Sequence, residues 1–335
     1  MKDHRPATRP ESELPIRLLA LDIDGTIIGH DFRISDRTVA AIRGAVARGV
    51  RVSLATGRMP SSAVVYANRL GLTDPIIGHQ GALVRAMPRE REPVTEALPG
   101  VRGRVGEILH HEPMSAEAVR EAIEWCRANG LDPHVNTLEE LVVWQDDPSF
   151  DDYSTYLGEG AHLVPDLVAA IDRPMTKVIS VGEPPLPTSL YPVAKAHFAG
   201  RADATLSHPR FLEFVAPGVS KGRAVAWLAH EAGIPMSQVM AIGDAFNDLE
   251  MIGDAGHGAA MASAPPEVRL AARYIAAPIE EDGSAALIEQ LILADPDEAA
   301  ANAERLAAEA AQIQERLRET AAPGTWGLAE RAVDP

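Results

Sequence analysis

Short apolar runs alternate with amphipathic stretches over the first eighty residues. Ile16 to Leu21 is a mostly apolar run ending in Asp22, which reads as a buried strand delivering an acid to its carboxyl end. Asp36 to Arg48 then has helical spacing, with Val39, Ile42 and Val46 on one face and Gly49 as its stop. Arg51 to Ala55 is a second apolar strand, running into Thr56-Gly57-Arg58. A helix from Pro60 to Leu70, closed by Gly71, leads to a third strand at Ile76 and Ile77. Strands alternating with helices predict parallel strands joined by crossover helices. The expected fold is therefore α/β, a doubly wound, Rossmann-like parallel sheet with its ligand at the strands' carboxyl ends.

The rhythm changes between about residue 85 and residue 215. Hairpin-like stretches such as His134 to Gln145 alternate there with helices near Ser115 to Asn129 and Leu190 to Phe198, which predicts a separate α+β unit. From Ser220 the α/β pattern returns: a helix to His230, a strand at Val239 to Ile242, a helix after Asp248, a strand near Ala259 and a helix from Gly283 to Leu293. The expected organisation is a core split into residues 1–84 and 216–294, an inserted cap over 85–215, and an Ala- and Glu-rich helix with a disordered tail over 295–335. In that last segment Ala299, Ala303, Leu306, Ala310, Ile313 and Leu317 recur at four- and three-residue steps. The stripe is expected to pack on its own domain, self-association being the alternative.

A length of 335 residues fits such a two-unit plan, and 46% hydrophobic with 24% charged residues is ordinary for a chain that buries a core. The charged, Pro-rich leader is not a signal peptide and no run of eighteen apolar residues occurs, so a cytoplasmic protein is expected. A formal net charge of -17 disfavours nucleic acid and anionic membranes as partners, both of which need a basic face. Cys126 is the one cysteine, which excludes an internal disulfide and a thiolate zinc site, and its helical context makes it a buried residue. A monomer or weak homo-oligomer is expected.

Four segments carry candidate chemistry. Asp22-Ile23-Asp24-Gly25-Thr26 sets two carboxylates at the end of a buried strand, which is costly unless a cation or partner is near. Thr56 offers a hydroxyl at the end of the second strand, and Gly57 lets the backbone approach an anion. Lys221, between Ser220 and Gly222 at a helix start, opposes the helix dipole, a conflict that a bound phosphate would remove; an exposed lysine is the plain alternative. Gly243-Asp244-Ala245-Phe246-Asn247-Asp248 puts two more acids four residues apart, where helix capping is the plain alternative. Together these acids offer several oxygen ligands and no His or Cys cluster, the set a hard cation such as Mg²⁺ takes.

In this order, DIDGT, ATGR, SKG and GDAFND resemble the four motifs of the haloacid dehalogenase (HAD) superfamily, over about Ile16 to Leu293. Only about 30 residues separate Asp22 from Thr56 while about 160 separate Thr56 from Lys221, so the resemblance implies a cap of the second type, inserted after the Thr motif. The Asn-Asp ending, Ala255 to Met261 and Glu281-Asp282-Gly283 resemble the Cof-type phosphatases of sugar phosphates and related metabolites. The resemblance implies Asp22 as nucleophile, forming an aspartyl phosphate, and Asp24 as acid and then base. It implies Thr56, Gly57, Arg58, Lys221 and Asn247 around the substrate phosphoryl, and Mg²⁺ on Asp22, the Asp24 carbonyl, Asp244 and, directly or through water, Asp248.

Two positions depart from the family pattern: Gln80-Gly81-Ala82 where many relatives read Asn-Gly-Ala, and Met261-Ala262-Ser263-Ala264 where they read Met-Gly-Asn-Ala. Both put the substrate in question rather than the chemistry. Of the eleven histidines, His110, His111, His134 and His162 are expected on surfaces or in packing, and His79 is the best candidate for a substrate contact. A small phosphorylated metabolite is the expected partner. The competing readings are a phosphomutase with the same cap and a non-catalytic metabolite-binding protein. A dehalogenase has no use for Asp24, and a cation pump expects Thr there.

Overall fold

The computed structural model describes residues 15–29, 31–90, 101–150 and 161–320. The charged leader and the stretch after Thr320, expected to be a disordered tail, lie outside the described residues. In chain order the first half of the core holds β1 (Leu18–Leu21), α1 (Asp36–Ala47), β2 (Arg51–Leu54), α2 (Pro60–Leu70), β3 (Ile76–Gly78) and β4 (Leu83–Arg85). The cap follows with β5 (Ile108–His111), α3 (Ala116–Ala128), β6 (Asp132–Asn136), β7 (Leu141–Trp144), β8 (Ala161–Val164), β9 (Lys177–Val181), α4 (Leu186–His197), β10 (Asp203–His208) and β11 (Phe211–Val215). The second half of the core holds α5 (Lys221–Glu231), β12 (Val239–Gly243), α6 (Leu249–Asp254), β13 (His257–Met261), α7 (Pro266–Ala271), β14 (Tyr274–Ala276) and α8 (Gly283–Ile288), and α9 (Pro296–Thr320) closes the described chain.

The core sheet has the order β14-β13-β12-β1-β2 and is parallel throughout. β1 lies inside it, between β12 and the edge strand β2, and is wholly buried, as a parallel strand covered by helices on both faces must be. The order reverses beside β1, with β2 on one side and β12 on the other, which is where an open α/β sheet forms its crevice. α1 begins at Ser35, whose hydroxyl accepts from the Thr38 amide, and lays Ala41, Ile42 and Ala45 on the sheet while Val39 and Val46 pack at its margin.

Ile76 and Ile77 contribute less to the parallel sheet than their pattern predicts. β3 touches it through one bridge, Ala55 to Ile77, and otherwise pairs antiparallel with β4, which pairs with β5. The chain turns at His79 to Gly81, so three residues of strand are too short to extend the core. The C-terminal end also differs. α8 stops at Ile288 and the chain continues in a wider turn to Leu293, where the Arg48 guanidinium donates to the carbonyls of Ile292 (3.0 Å) and Ala294 (2.8 Å). α4 starts at Leu186, earlier than the apolar spacing suggests. β14, three residues long, is too short to announce itself.

The cap is built on a six-stranded sheet, β10-β11-β9-β6-β7-β8, antiparallel except for the β7–β8 pair. Its own core gathers α3 and α4 on one face, with Trp125, Phe198 and Phe214 in edge-on contacts at 4.9 to 5.9 Å. Cys126 is buried there, and that burial pushes its thiol up to about 12, which keeps it protonated and inert. The α9 stripe packs on its own core: Leu306 and Ala310 are buried, and the Gln314 amide donates to the Arg269 and Ala272 carbonyls. Among the described residues no helix is long and apolar enough to cross a membrane.

Candidate active site

β1 runs directly into Asp22, which is 4% exposed, and the chain turns at once through Asp24 and Gly25. Gly25 has φ +78°, and a Cβ there would stand 2.2 Å from an Asp244 oxygen, so only glycine lets this turn lie against β12's loop. Thr26 donates its hydroxyl to Asp244 Oδ1 at 3.3 Å and its carbonyl accepts from Ser284 Oγ at 3.0 Å. The loop after β2 contributes Thr56, buried, whose Oγ1 accepts from the Arg58 amide at 3.2 Å. A Cβ on Gly57 would fall 2.4 Å from Gln80 Nε2, so this loop and the turn at residue 80 approach as only a glycine allows.

Lys221 is not an exposed lysine. At the start of α5 it is 1% exposed, and its Nζ donates to Asp22 Oδ1 at 2.6 Å and to Asp248 Oδ1 at 2.7 Å. Those two carboxylates resolve the conflict between a cation and the positive end of a helix. Asp248 is also not a simple cap: Oδ2 accepts from the amides of Asp244 (2.9 Å) and Ala245 (3.1 Å), holding its own loop in shape while Oδ1 holds Lys221. Asp22, Asp244 and Asp248 each bring a carboxylate oxygen within 4.8 Å of the others.

Electrostatically this cluster is not balanced. Four carboxylates, Asp22, Asp24, Asp244 and Asp248, face Lys221 and Arg58. Arg58 grips Asp24 with two bonds, 2.7 and 2.5 Å, and lies over the rings of Phe32 and Tyr66. Burial works against its charge, but the Asp24 carboxylate outweighs that and raises its pKa. Lys221 is likewise held charged by Asp22 and Asp248 against burial. Asp22 is pushed well above the usual carboxylate range by burial and by Asp248, Asp244 and Asp24, with Lys221 pulling the other way. Burial and the neighbouring Asp248 likewise push Asp244 up to about 7. Negative charge is in surplus in a pocket of hard oxygen donors, and a divalent cation fits both the donor set and the deficit.

The cluster floors a cavity of about 210 Å³ between core and cap. Asp22, Asp24, Thr56, Gly57, Arg58, Asp244 and Asn247 line it from the core, and Asn136, Lys177, Ser207, Arg210, Phe211 and Glu213 from the cap. Lys221 and Asp248 sit behind this surface rather than on it. Asn247 is joined to the cap: its Nδ2 donates to Gln80 Oε1 at 2.9 Å, and Gln80 Nε2 donates to Glu213 Oε1 at 2.8 Å. Glu213 pairs with Lys177, which also donates to the Gly57 carbonyl at 2.8 Å. Sequence reasoning missed Lys177, Glu213 and Asn136. Their signal was present, since a charge within Lys177-Val178-Ile179 and another within Phe211-Leu212-Glu213-Phe214 interrupt strands that are otherwise apolar.

His79 does not line the cavity. It is fully buried where core meets cap, with Nε2–H donating to the Leu138 carbonyl at 3.1 Å, and burial foremost, then Lys177, lowers its pKa to about 3. The other singled-out histidines pack or face solvent: His110 stacks on Trp227, His111 meets the Thr176 hydroxyl, His134 is buried beside Ser149 and His162 is exposed. Ser263 does not line the cavity either.

The model of the haloacid dehalogenase-like hydrolases matches residues 19–99 and 101–288. Among curated relatives, the HMP-PP phosphatase of Serratia proteamaculans is 28% identical over 76% of this chain and 86% of its own. The 5-amino-6-(5-phospho-D-ribitylamino)uracil phosphatase YitU of Bacillus subtilis is 26% identical over 82% of this chain and 96% of its own. A solved sugar phosphatase of HAD subclass IIB shares the fold with TM-score 0.66 at 23% identity, covering 82% of this chain and 98% of that one. The chain belongs to the haloacid dehalogenase-like hydrolases, and within them to the Cof-type phosphatases.

Proposed function

We propose that the chain hydrolyses small phosphate monoesters in two steps through an aspartyl phosphate on Asp22, with Mg²⁺ required. The observation that carries this reading is the surplus of carboxylates around Asp22, with Lys221 bridging the nucleophile to Asp248 just behind the floor of the cavity between core and cap.

Lys221 fixes Asp22 through Oδ1, so the other carboxylate oxygen is the one presented to phosphorus. In the first step that oxygen bonds to phosphorus while the ester P–O bond breaks, and the departing oxygen takes a proton from Asp24. In the second, water gives its proton back to Asp24 as it attacks the aspartyl phosphate, releasing phosphate and restoring Asp22. Thr56, the Gly57 loop and Arg58 surround the phosphoryl oxygens, and Asn247 bounds them on the opposite side. The phosphoryl dianion competes with Asp24 for Arg58, so substrate arrival frees Asp24 for proton transfer. Asp22, Asp244, Asp248 and the Asp24 carbonyl would hold Mg²⁺, which when bound offsets the repulsion between carboxylate and phosphate. The unit over residues 85–215 acts as the lid that excludes water and contacts the organic part of the ester.

The test is release of inorganic phosphate from p-nitrophenyl phosphate and a panel of sugar phosphates, before and after chelation and Mg²⁺ return. Loss on chelation with recovery by Mg²⁺ is expected. Asp244→Asn should weaken that recovery by about 100-fold, at least the cost of disturbing a ligand's supporting shell. Turnover that survives exhaustive chelation removes the metal from the mechanism, and return of the phosphoryl group to substrate without net phosphate identifies a mutase.

A further inference from the structure

The cap wall of the cavity is charged in composition but neutral in effect. Lys177 is 3% exposed and paired with Glu213, which is 1% exposed; Arg210 is paired with Glu183 at 2.7 Å. Of the cap cations that line the cavity, Lys177 is matched by a buried carboxylate, whereas Arg210 pairs with Glu183, whose side chain is 81% exposed. A second phosphate or a carboxylate placed beside Asn136 would have to take Lys177 from its buried partner. Beside this pair stands Asn136, opposite Lys177 in the β6–β9 ladder, 2% exposed, lining the cavity, with its Oδ1 buried and without a hydrogen-bond partner. A buried, unmet amide carbonyl is costly unless something donates to it.

The same need recurs across the cavity. Glu213 can only accept, so Gln80 turns its NH₂ toward Glu213 and its carbonyl toward Asn247, and Asn247 must offer its NH₂. The polarity is set by the carboxylate, and it leaves Asn247 Oδ1 buried and unpartnered. A phosphoryl dianion has no hydrogen to give. Both carbonyls therefore await a donor on the organic part of the substrate, and a hydroxyl suits an amide whichever end it meets.

We propose that Asn136, backed by the neutralised Lys177–Glu213 pair, is a specificity determinant that reads a hydroxyl of the substrate's organic part and selects against a second anionic group. This rests on the phosphatase reading above. It predicts monoesters of uncharged, hydroxylated compounds over esters that carry another phosphate or a carboxylate.

Steady-state kinetics with the full chain and Mg²⁺ test it on matched pairs: fructose 6-phosphate against fructose 1,6-bisphosphate, and glycerol 3-phosphate against 3-phosphoglycerate, with p-nitrophenyl phosphate as the control. Wild type should favour the uncharged member of each pair by about tenfold or more in kcat/KM, the value of one well-made hydrogen bond to a buried group. Asn136→Ala should lower kcat/KM for the preferred ester about tenfold more than for p-nitrophenyl phosphate, mainly through KM. Glu213→Gln, which unpairs Lys177, should narrow the preference against the doubly charged member. If that variant does not fold, the wild-type pairs and Asn136→Ala decide. A wild-type preference for the charged members, or an equal loss on all esters in Asn136→Ala, overturns the proposal. Failure of wild type on every ester, the control included, refutes the phosphatase reading instead.

Discussion

The floor and the roof of the cavity are both lined with buried charge, yet they are built on opposite plans. On the floor, four carboxylates share Lys221 and Arg58, and burial drives Asp22 and Asp244 above their normal range. On the roof, Lys177 and Glu213 form a matched pair that is further tied to the Gly57 carbonyl, the Ser207 hydroxyl and the Gln80 amide. A balanced network rigidifies and positions; an unbalanced one waits for a ligand. The floor is where charged species are expected to bind and react, and the roof is where shape and hydrogen bonding are read.

The sharpest way to break the contrast is Asp22→Asn. If Asp22 is the nucleophile, turnover should fall by on the order of 10⁴-fold or more, as for other nucleophile deletions, and acid-quench trapping should find no phosphoenzyme. Stability should move the other way. The substitution removes one charge from a surplus and leaves Lys221 its bond to Asp248, so the metal-free protein should melt higher than wild type. A variant that loses activity and also melts well below wild type would show that Asp22 holds the floor together rather than loading it.

Gln80→Asn tests the join between the two regions. Gln80 spans from Glu213 to Asn247, and an amide one methylene shorter cannot hold both. At φ 61° asparagine is the more comfortable residue, so the local turn should be kept. The expected result is about a tenfold fall in kcat/KM, with a lower melting temperature because a buried charge-assisted bond to Glu213 is lost. Unchanged kinetics would mean that roof and floor act independently.

How much of this could be read from the chain follows the same division. The floor was legible because its residues sit in short contiguous motifs at strand ends: an apolar run stopping at Asp22, and Asp244 with Asp248 on one opening turn. What was not legible is contact across distance. Arg58 closing on Asp24, and Lys221 buried between two acids, depend on loops folding back over 34 and 199 residues. The roof was harder still, because Gln80 meets Glu213 across 133 residues and only the polar interruptions of β9 and β11 hint at it. β3 was misjudged for a related reason: a run of two isoleucines says strand but not which sheet, and the turn at His79 to Gly81 takes it out of the core.

The smallest expected effect concerns His79, which ties the two regions without touching the cavity. Its Nε2–H is given to Leu138, so Nδ1 bears the lone pair, buried and unpartnered. A proton on Nδ1 would place a second cation near Lys177, with His111 and Arg102 adding to the repulsion, and burial already opposes it; together these lower the pKa from 6.5 to about 3. Because the folded value lies below the unfolded one, the unfolded chain takes up the proton first as pH falls. This group therefore costs no stability above about pH 6.5 and withdraws stability progressively between there and about pH 3. Between about pH 7.5 and 5.5 the loss should be about 1 kcal/mol, read from urea unfolding at each pH. His79→Asn accepts the positive φ of 50° and can still donate to a carbonyl, so it should lower stability at neutral pH by leaving a small void and yet flatten the slope on the acid side. The slope, not the midpoint, is the diagnostic quantity, since a cavity shifts stability equally at every pH. If wild type and His79→Asn lose stability in parallel as the pH falls, the buried neutral imidazole is not what makes the core–cap junction acid-sensitive.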